Sequence, residues 1–424
     1  MSSSPIRGVC LTACALLSFA YGAPSVAEDA ARVLTLRDAL TKTLERNPDL
    51  KAFGFEIEAQ AGRIQQAGAR PSPEVGLLVE NGFGSGTRNS LDAAETTLSI
   101  GFAIERGARE RRIDVANAGN DLLGTEATIR RLDIAAETAR RYIAVLEGQS
   151  QVTQTKNATR VGEHTLLAVQ TRVRAAKVPA AEESRAQAQL ARTQLDEEHA
   201  EHELLSARRR LGALWGDIEA DFDTAGGELS SLPVLEPFES LRSRLQHNPD
   251  FSRLVSQKRV REAELRLAEM RRRPPWHVTA AVRRFEDVGD HAFIVGLTVP
   301  LASRDLARGA ISEARANSAA IDARGDALRV QIDAELFALY QELRHAYAEV
   351  TALAKDVLPR MEEAEQQSRF AYERGRYGYM EWAAAQRELL DARRALLEAT
   401  ADVHRHRIEI ERLTGGALTA AILP

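Results

Sequence analysis

The sequence predicts a mainly α chain with a small β part, made of duplicated halves that each combine a long α-helical hairpin with a pair of strands. Three observations predict it. The stretch "NPDLKAF" at 47–53 returns as "NPDFSRL" at 248–254. Leu40 and Leu44 precede the first copy at the offsets that Leu241 and Leu245 keep before the second, and a repeat on that scale means two similar halves. Residues 107–174 and 303–374 run almost free of helix breakers. Ahead of each run lies a pair of short segments with period-two alternation.

Alanine, arginine, glutamate and leucine dominate the 424 residues, and aromatics make up only 5%, a profile of long packed helices. A net charge of −5 gives no basic surface for nucleic acid. No apolar run long enough to span a bilayer lies beyond the N-terminus. There, Arg7, the apolar stretch Val9 to Ala20 and the small residues Ser25-Val26-Ala27 form a signal peptide over 1–27. Both cysteines, Cys10 and Cys14, fall inside it, so the mature chain carries no thiol chemistry. Leu11-Thr12-Ala13-Cys14 also resembles a lipoprotein box, but the apolar run continues to Phe19, which favours cleavage after Ala27 over lipidation of Cys14.

The first repeat spans 28–215. Helical periodicity from Leu34 to Ala69 is interrupted at Asn47-Pro48, because a residue before proline avoids the α region. Asp49 then suits the first turn of a new helix, and Asn248-Pro249-Asp250 repeats the logic. Pro71 and Pro73 end this helix ahead of a β-hairpin at about 74–105. In it Val75, Leu77 and Val79 alternate with Gly76, Leu78 and Glu80; Leu98, Ile100, Phe102 and Ile104 alternate with Thr97, Ser99, Gly101 and Ala103. "GFGSG" at 82–86 sits between strands with no helix after it, so it is a hairpin loop and not a phosphate loop.

A helix at about 107–175, roughly 100 Å long, leads to a turn at Ala176-Lys177-Val178-Pro179 and a return helix at about 180–214. Residues 216–238 form a linker. The second repeat, 239–424, has the same order: a helix stopped by Pro274-Pro275, a hairpin at about 276–301, a long helix at about 303–374 interrupted at Leu358-Pro359, and a return helix at about 380–413. In its hairpin Trp276, Val278, Ala280 and Val282 share one face, as do Phe293, Val295, Leu297, Val299 and Leu301. At its tip, Gly375 suits the left-handed position that caps a helix.

Four strands with one apolar face cannot stand alone in a membrane, because an open edge leaves backbone groups unpaired. Three copies give twelve strands, enough to close a barrel. Trp276 and Arg271, Arg272 and Arg273 just before it fit a membrane interface. The alternative is a small soluble sheet packed on helices.

"RNPDL", "VENGFGSG", "ETTLSIGFAIERGAR", "RRFEDVGDHAFIVGLTVPL", "YERGRYGYMEWAAAQRELLDARRALLEA" and "IEIERLTGG" together resemble the TolC-like outer-membrane efflux protein family, in its heavy-metal (CzcC-like) branch. The resemblance covers nearly all of the mature chain. It implies a homotrimer whose strands form a 12-stranded outer-membrane β-barrel and whose helices form a periplasmic α-barrel. It also implies three partners: outer-membrane lipid, a periplasmic adaptor (membrane fusion) protein and an inner-membrane pump of the RND type. Val178, Pro179, Gly375, Tyr377 and Gly378 would then be the tips that dock the adaptor. Glu381, six residues after Gly375, and Glu182 with its neighbour Glu183, six and seven after Ala176, would ring the periplasmic entrance. The chain departs from the family pattern at Ala103, Ala176, Ala302, Leu306 and Ala384, where the family usually has proline, glycine, proline, arginine and an acid.

No Ser/His/Asp set or carboxylate pair stands out, so no catalytic residue is expected, nor a cofactor. His199 and His202, near Glu198 and Glu203, have a spacing that can hold a metal, but exposed polar positions explain them as well. His404 and His406 do not share a helical face. The expected function is a passive exit duct, with heavy-metal cations as first cargo and drugs, organic solutes or secreted protein as second. The competing class is a periplasmic adaptor or structural coiled coil, which leaves the duplication unexplained.

Overall fold

The structure, a computed structural model, describes residues 33–88, 90–301 and 304–416. The expected signal segment 1–27, with Cys14, and Ala302 lie outside the described residues. In order, the chain runs β1 (Val33–Leu34), α1 (Leu36–Arg46), α2 (Pro48–Gly68), β2 (Glu74–Glu80), β3 (Glu95–Ile104), α3 (Ala108–Arg174), α4 (Ala180–Gly212), β4 (Thr224–Ala225), α5 (Phe238–Arg244), α6 (Pro249–Glu269), β5 (Trp276–Phe285), β6 (His291–Thr298), α7 (Arg304–Ala352), α8 (Leu358–Glu373) and α9 (Tyr379–Thr414).

The repeated Asn-Pro-Asp makes the same joint twice. The Asn47 side-chain oxygen accepts from the amides of Asp49 (2.9 Å) and Leu50 (3.1 Å), capping α2, and its Nδ2 donates to the Leu214 carbonyl at 2.7 Å. Asn248 accepts from the Asp250 amide at 2.8 Å, capping α6, and donates to the Leu413 carbonyl at 2.7 Å. Leu214 follows α4 and Leu413 lies at the end of α9, so each return helix is continued across one asparagine by the helix that leads to the sheet.

The chain is therefore a row of four columns: α4 with α2, then α3, then α9 with α6, then α8 with α7. Below the joints α3 packs against α4 and α9; above them it packs against α2 and α6. The strands keep the same rank, in the order β2-β3-β5-β6, each chained to the column beneath it. Both hairpins thus join one antiparallel sheet through β3 and β5, with Leu98 opposite Val282 and Ile104 opposite Trp276. Two apolar clusters sit at the joints, one around Tyr142, Ile143 and Leu211, the other around Leu241, Leu336 and Ile410. The linker contributes β4, which pairs in parallel with β1. The Tyr142 hydroxyl lies between the Leu34 and Gly226 carbonyls, at 2.9 and 2.5 Å, and pins that pair to α3.

Pro359 does not end the second long helix. A π turn at Leu353–Val357 comes first, and α8 then starts with the proline in its first turn. The wider turn accommodates the missing N–H and the ring's clash with the preceding turn. Ala103 remains in β3, opposite His277, so the strand runs one residue further to Ile104. The chain then bends into α3 at Gly107, whose φ is 88°.

Both tips end in the same hydrogen-bond motif. After α3, Ala176 and Lys177 donate to the carbonyls of Val173 and Arg172; after α8, Gly375 and Arg376 donate to those of Tyr372 and Ala371. The motif requires a left-handed residue at Ala176 (φ 55°) and at Gly375 (φ 73°). Alanine there clashes with its own carbonyl, at about 1 kcal/mol. Ala176→Gly is expected to relieve that strain and slow hydrogen exchange at the Lys177 amide about fivefold. Unchanged or faster exchange would show that the tip is not held in this conformation.

Candidate functional site at the two ends of the tube

At the sheet end, β3 and β5 are each 10 residues long, the length of a tilted strand crossing a bilayer. Register separates their faces. Val75, Leu77, Leu98, Phe102, Val278, Val295 and their neighbours cover one side with apolar groups, and Phe293 is 85% exposed there. The other side carries mostly glycine, threonine and serine, with Leu78 and Ile294 among them, together with one ionic network. Arg283 donates to Glu80 (2.9 Å), Glu95 (2.8 Å) and Thr97 (2.9 Å), linking β2, β3 and β5. A greasy outside, a polar inside and two unpaired edge strands are the parts of a barrel wall. Trp276 begins β5 under the Arg106 guanidinium, 4.7 Å from the ring centre. Arg271, Arg272 and Arg273 are exposed beside it.

At the helical end, Arg172 near the end of α3 reaches across to the other hairpin. Its Nη1 donates to the Tyr372 and Glu373 carbonyls at 2.5 and 2.9 Å, and its guanidinium lies 4.7 Å over the Tyr372 ring. Trp382 stacks on the same ring at 5.1 Å and donates Nε1–H to Glu365 at 2.9 Å. The Tyr372 hydroxyl donates to Glu182 at 3.3 Å. Burial, then the Glu182 charge, push the Tyr372 phenol up to about 12, so it keeps the proton that it donates.

The expected entrance acids differ in surroundings. Glu182 and Glu381 are both third in their helices, yet Glu182 is half-buried and accepts from the Tyr372 hydroxyl and, at 3.5 Å, from the Tyr379 amide. Glu183 is half-buried and accepts from Gln170 at 3.1 Å. Glu381 is exposed. Gly378 lies against two of these carboxylates: a β-carbon there would come within 3.1 Å of Glu381 Oε2 and 3.8 Å of Glu182 Oε1. Tyr377 and Pro179 are exposed at the turns, Gly375 lies at the second tip, and Val178 is half-buried. Ala384 is half-buried one turn beyond Glu381. Arg172, Tyr372, Trp382 and Arg283 do not stand out in the sequence; the aromatics of "YERGRYGYMEW" around the second tip are the available signal.

His199 lies 3.4 Å from Glu203 and both side chains are exposed. Among the described residues, no group of three or more His, Cys, Asp or Glu side chains is placed to hold a metal. None of their helices is long and apolar enough to cross a membrane.

The outer membrane efflux protein model matches residues 39–217 and again residues 241–416, one match per repeat. The chain belongs to that family. As an outer membrane efflux protein it resides in the outer membrane and extends into the periplasm, and the adaptor alternative falls away. The chain is 27% identical to the cobalt-zinc-cadmium resistance protein CzcC of Cupriavidus metallidurans, over 80% of each protein. It is 26% identical to the nickel-cobalt-cadmium resistance protein NccC of Alcaligenes xylosoxydans xylosoxydans, over 79% of this chain and 74% of that one. The crystal structure of the outer membrane protein VceC of Vibrio cholerae has the same fold, with a TM-score of 0.69 at 17% identity, over 90% of this chain and 96% of that one.

Proposed function

We propose that this outer membrane efflux protein is the exit duct of a three-part system that exports divalent metal cations. Three copies close the row of four strands and four columns into one tube. A periplasmic adaptor and an RND-type pump in the inner membrane supply the cargo at the tips. The observation that carries the cargo is the match, over about four fifths of the chain, to cobalt, zinc, nickel and cadmium resistance proteins. The duct is passive: the inner face of the sheet is mostly glycine, serine, threonine and paired ions, and export through it needs no bond-making chemistry. Cells lacking the chain should hold more cobalt, zinc or cadmium after a metal challenge and return to normal when it is restored. Unchanged metal content with accumulation of organic toxicants would transfer the cargo to drugs or other organic solutes.

In this reading the adaptor docks on the turns at Val178, Pro179, Gly375, Tyr377 and Gly378, supported by the exposed Tyr377 and Met380. The entrance charge falls mainly on Glu381, because Glu182 and Glu183 already accept hydrogen bonds within the chain. Three carboxylates around a narrow opening attract cations. Glu381→Gln should lower cation preference and block by multivalent cations in planar bilayers, with the trimer intact. Selectivity and block equal to the parent protein would place Glu381 outside the pore.

A further inference from the structure

We propose that the trimer binds anionic glycerophospholipid in a groove between the end of α6 and the start of α7. Arg271, Arg272 and Arg273 would hold the headgroup phosphate and the groove would take an acyl chain. The proposal rests on the outer-membrane duct reading above.

The arginines come first. They lie where α6 gives way to a short 3-10 turn, and all three are exposed. Among the described residues none of them is paired with a carboxylate, although arginine–carboxylate pairs are common elsewhere in the chain. A helix C-terminus favours a cation over its last carbonyls, but that does not account for three in succession. Guanidinium forks match phosphate oxygens, and they lose less hydration than ammonium groups when they do so.

The groove comes second. It has a volume of about 720 Å³ and is lined by Leu267, Met270, Pro274, Pro275 and Leu301, with Arg271 and Arg273 among its walls. Of the two carboxylates that line it, Glu264 is already paired with Arg261 at 2.8 Å, and Glu313 is exposed on α7. Leu301 is 95% exposed and continues the alternation of Phe293, Val295 and Leu297, so the groove prolongs the lipid-facing side of the sheet. Trp276, whose ring type favours the headgroup level, begins the adjoining strand.

The side of the membrane comes third. The arginines are on the helical, periplasmic end of the strands, where the leaflet is glycerophospholipid. Basic pockets at that depth bind anionic headgroups, and each arginine close to the surface contributes to the attraction. The threefold tube would present three such grooves around its waist.

The test is native mass spectrometry of the detergent-released full-length trimer after incubation with phosphatidylglycerol and phosphatidylcholine of identical acyl chains. Retention of phosphatidylglycerol should exceed that of phosphatidylcholine about tenfold. The variant R271Q/R272Q/R273Q should remain trimeric and lose the preference. Leu301→Gln should retain less of both lipids and keep the preference. Inorganic phosphate should not displace the lipid. Equal retention of both lipids by the parent protein, an unchanged preference in the triple variant, or displacement by inorganic phosphate would overturn the proposal. Loss of the trimer in the triple variant would also overturn it, by assigning the groove to a neighbouring copy. A chain that needs no detergent would instead overturn the duct itself, so the two failures are distinct.

Discussion

Replacing Asn248 by alanine should destabilise the folded chain by about 3 kcal/mol. Loss of the cap on α6 accounts for about 1 kcal/mol. The rest comes from the Leu413 carbonyl, whose partner is fully buried; an orphaned buried acceptor costs roughly 1–3 kcal/mol. Asn47→Ala should act alike through Leu214, since Asn47 is only 4% exposed and makes the matching bonds. Asn248→Ser should recover the cap alone and therefore about 1 kcal/mol. The midpoint for loss of helical circular dichroism in detergent measures all three. A midpoint within error of the parent for both alanine variants would mean that the asparagines do not join the columns.

Removing Arg172 should have the second large effect. Arg172→Ala deletes two charge-assisted hydrogen bonds to carbonyls and a stacked cation, together about 3 kcal/mol of contact between the two tips. A bias of that size shifts a two-state equilibrium by more than about a hundredfold. We propose that this contact holds the entrance shut; planar-bilayer recordings of the variant should then show larger and more persistent conductance, with the trimer intact because the clamp is far from the sheet. Tyr372→Phe deletes only the 3.3 Å bond to Glu182, keeps the stacked ring, and should open the channel far less. Wild-type conductance in Arg172→Ala would show that other contacts close the tips.

Sequence carries periodic features well. The alternation of Val75, Leu77 and Val79 reports a two-faced strand because the β period is two residues, whatever lies beside it. The doubled Asn-Pro-Asp reports two helix starts for an equally local reason. The second job of those asparagines is hidden, because their acceptors lie 167 and 165 positions away. Pro359 signals an interruption but not its form, since α9 packs along the π turn and supports it from outside the local sequence.

The acids that follow the two tips show how an internal repeat misleads. Counting from Ala176 and Gly375 makes Glu182 and Glu381 equivalent. The halves differ in what surrounds the count: Tyr372 and Tyr379 of the second hairpin stand over Glu182, and Glu381 has no such cover. The pairing of β3 with β5, which turns two hairpins into one sheet, is equally out of reach of the sequence, because the intervening residues 105–275 carry no trace of it.

The central claim is that this chain works only as a closed threefold tube, because β2 and β6 leave open edges and the four columns form a row with two bare ends. The mass of the detergent-released particle, with bound detergent subtracted, tests it most directly. The account predicts three copies per particle, falling to one only when helical structure is lost. A monodisperse, fully helical particle containing a single copy would contradict it.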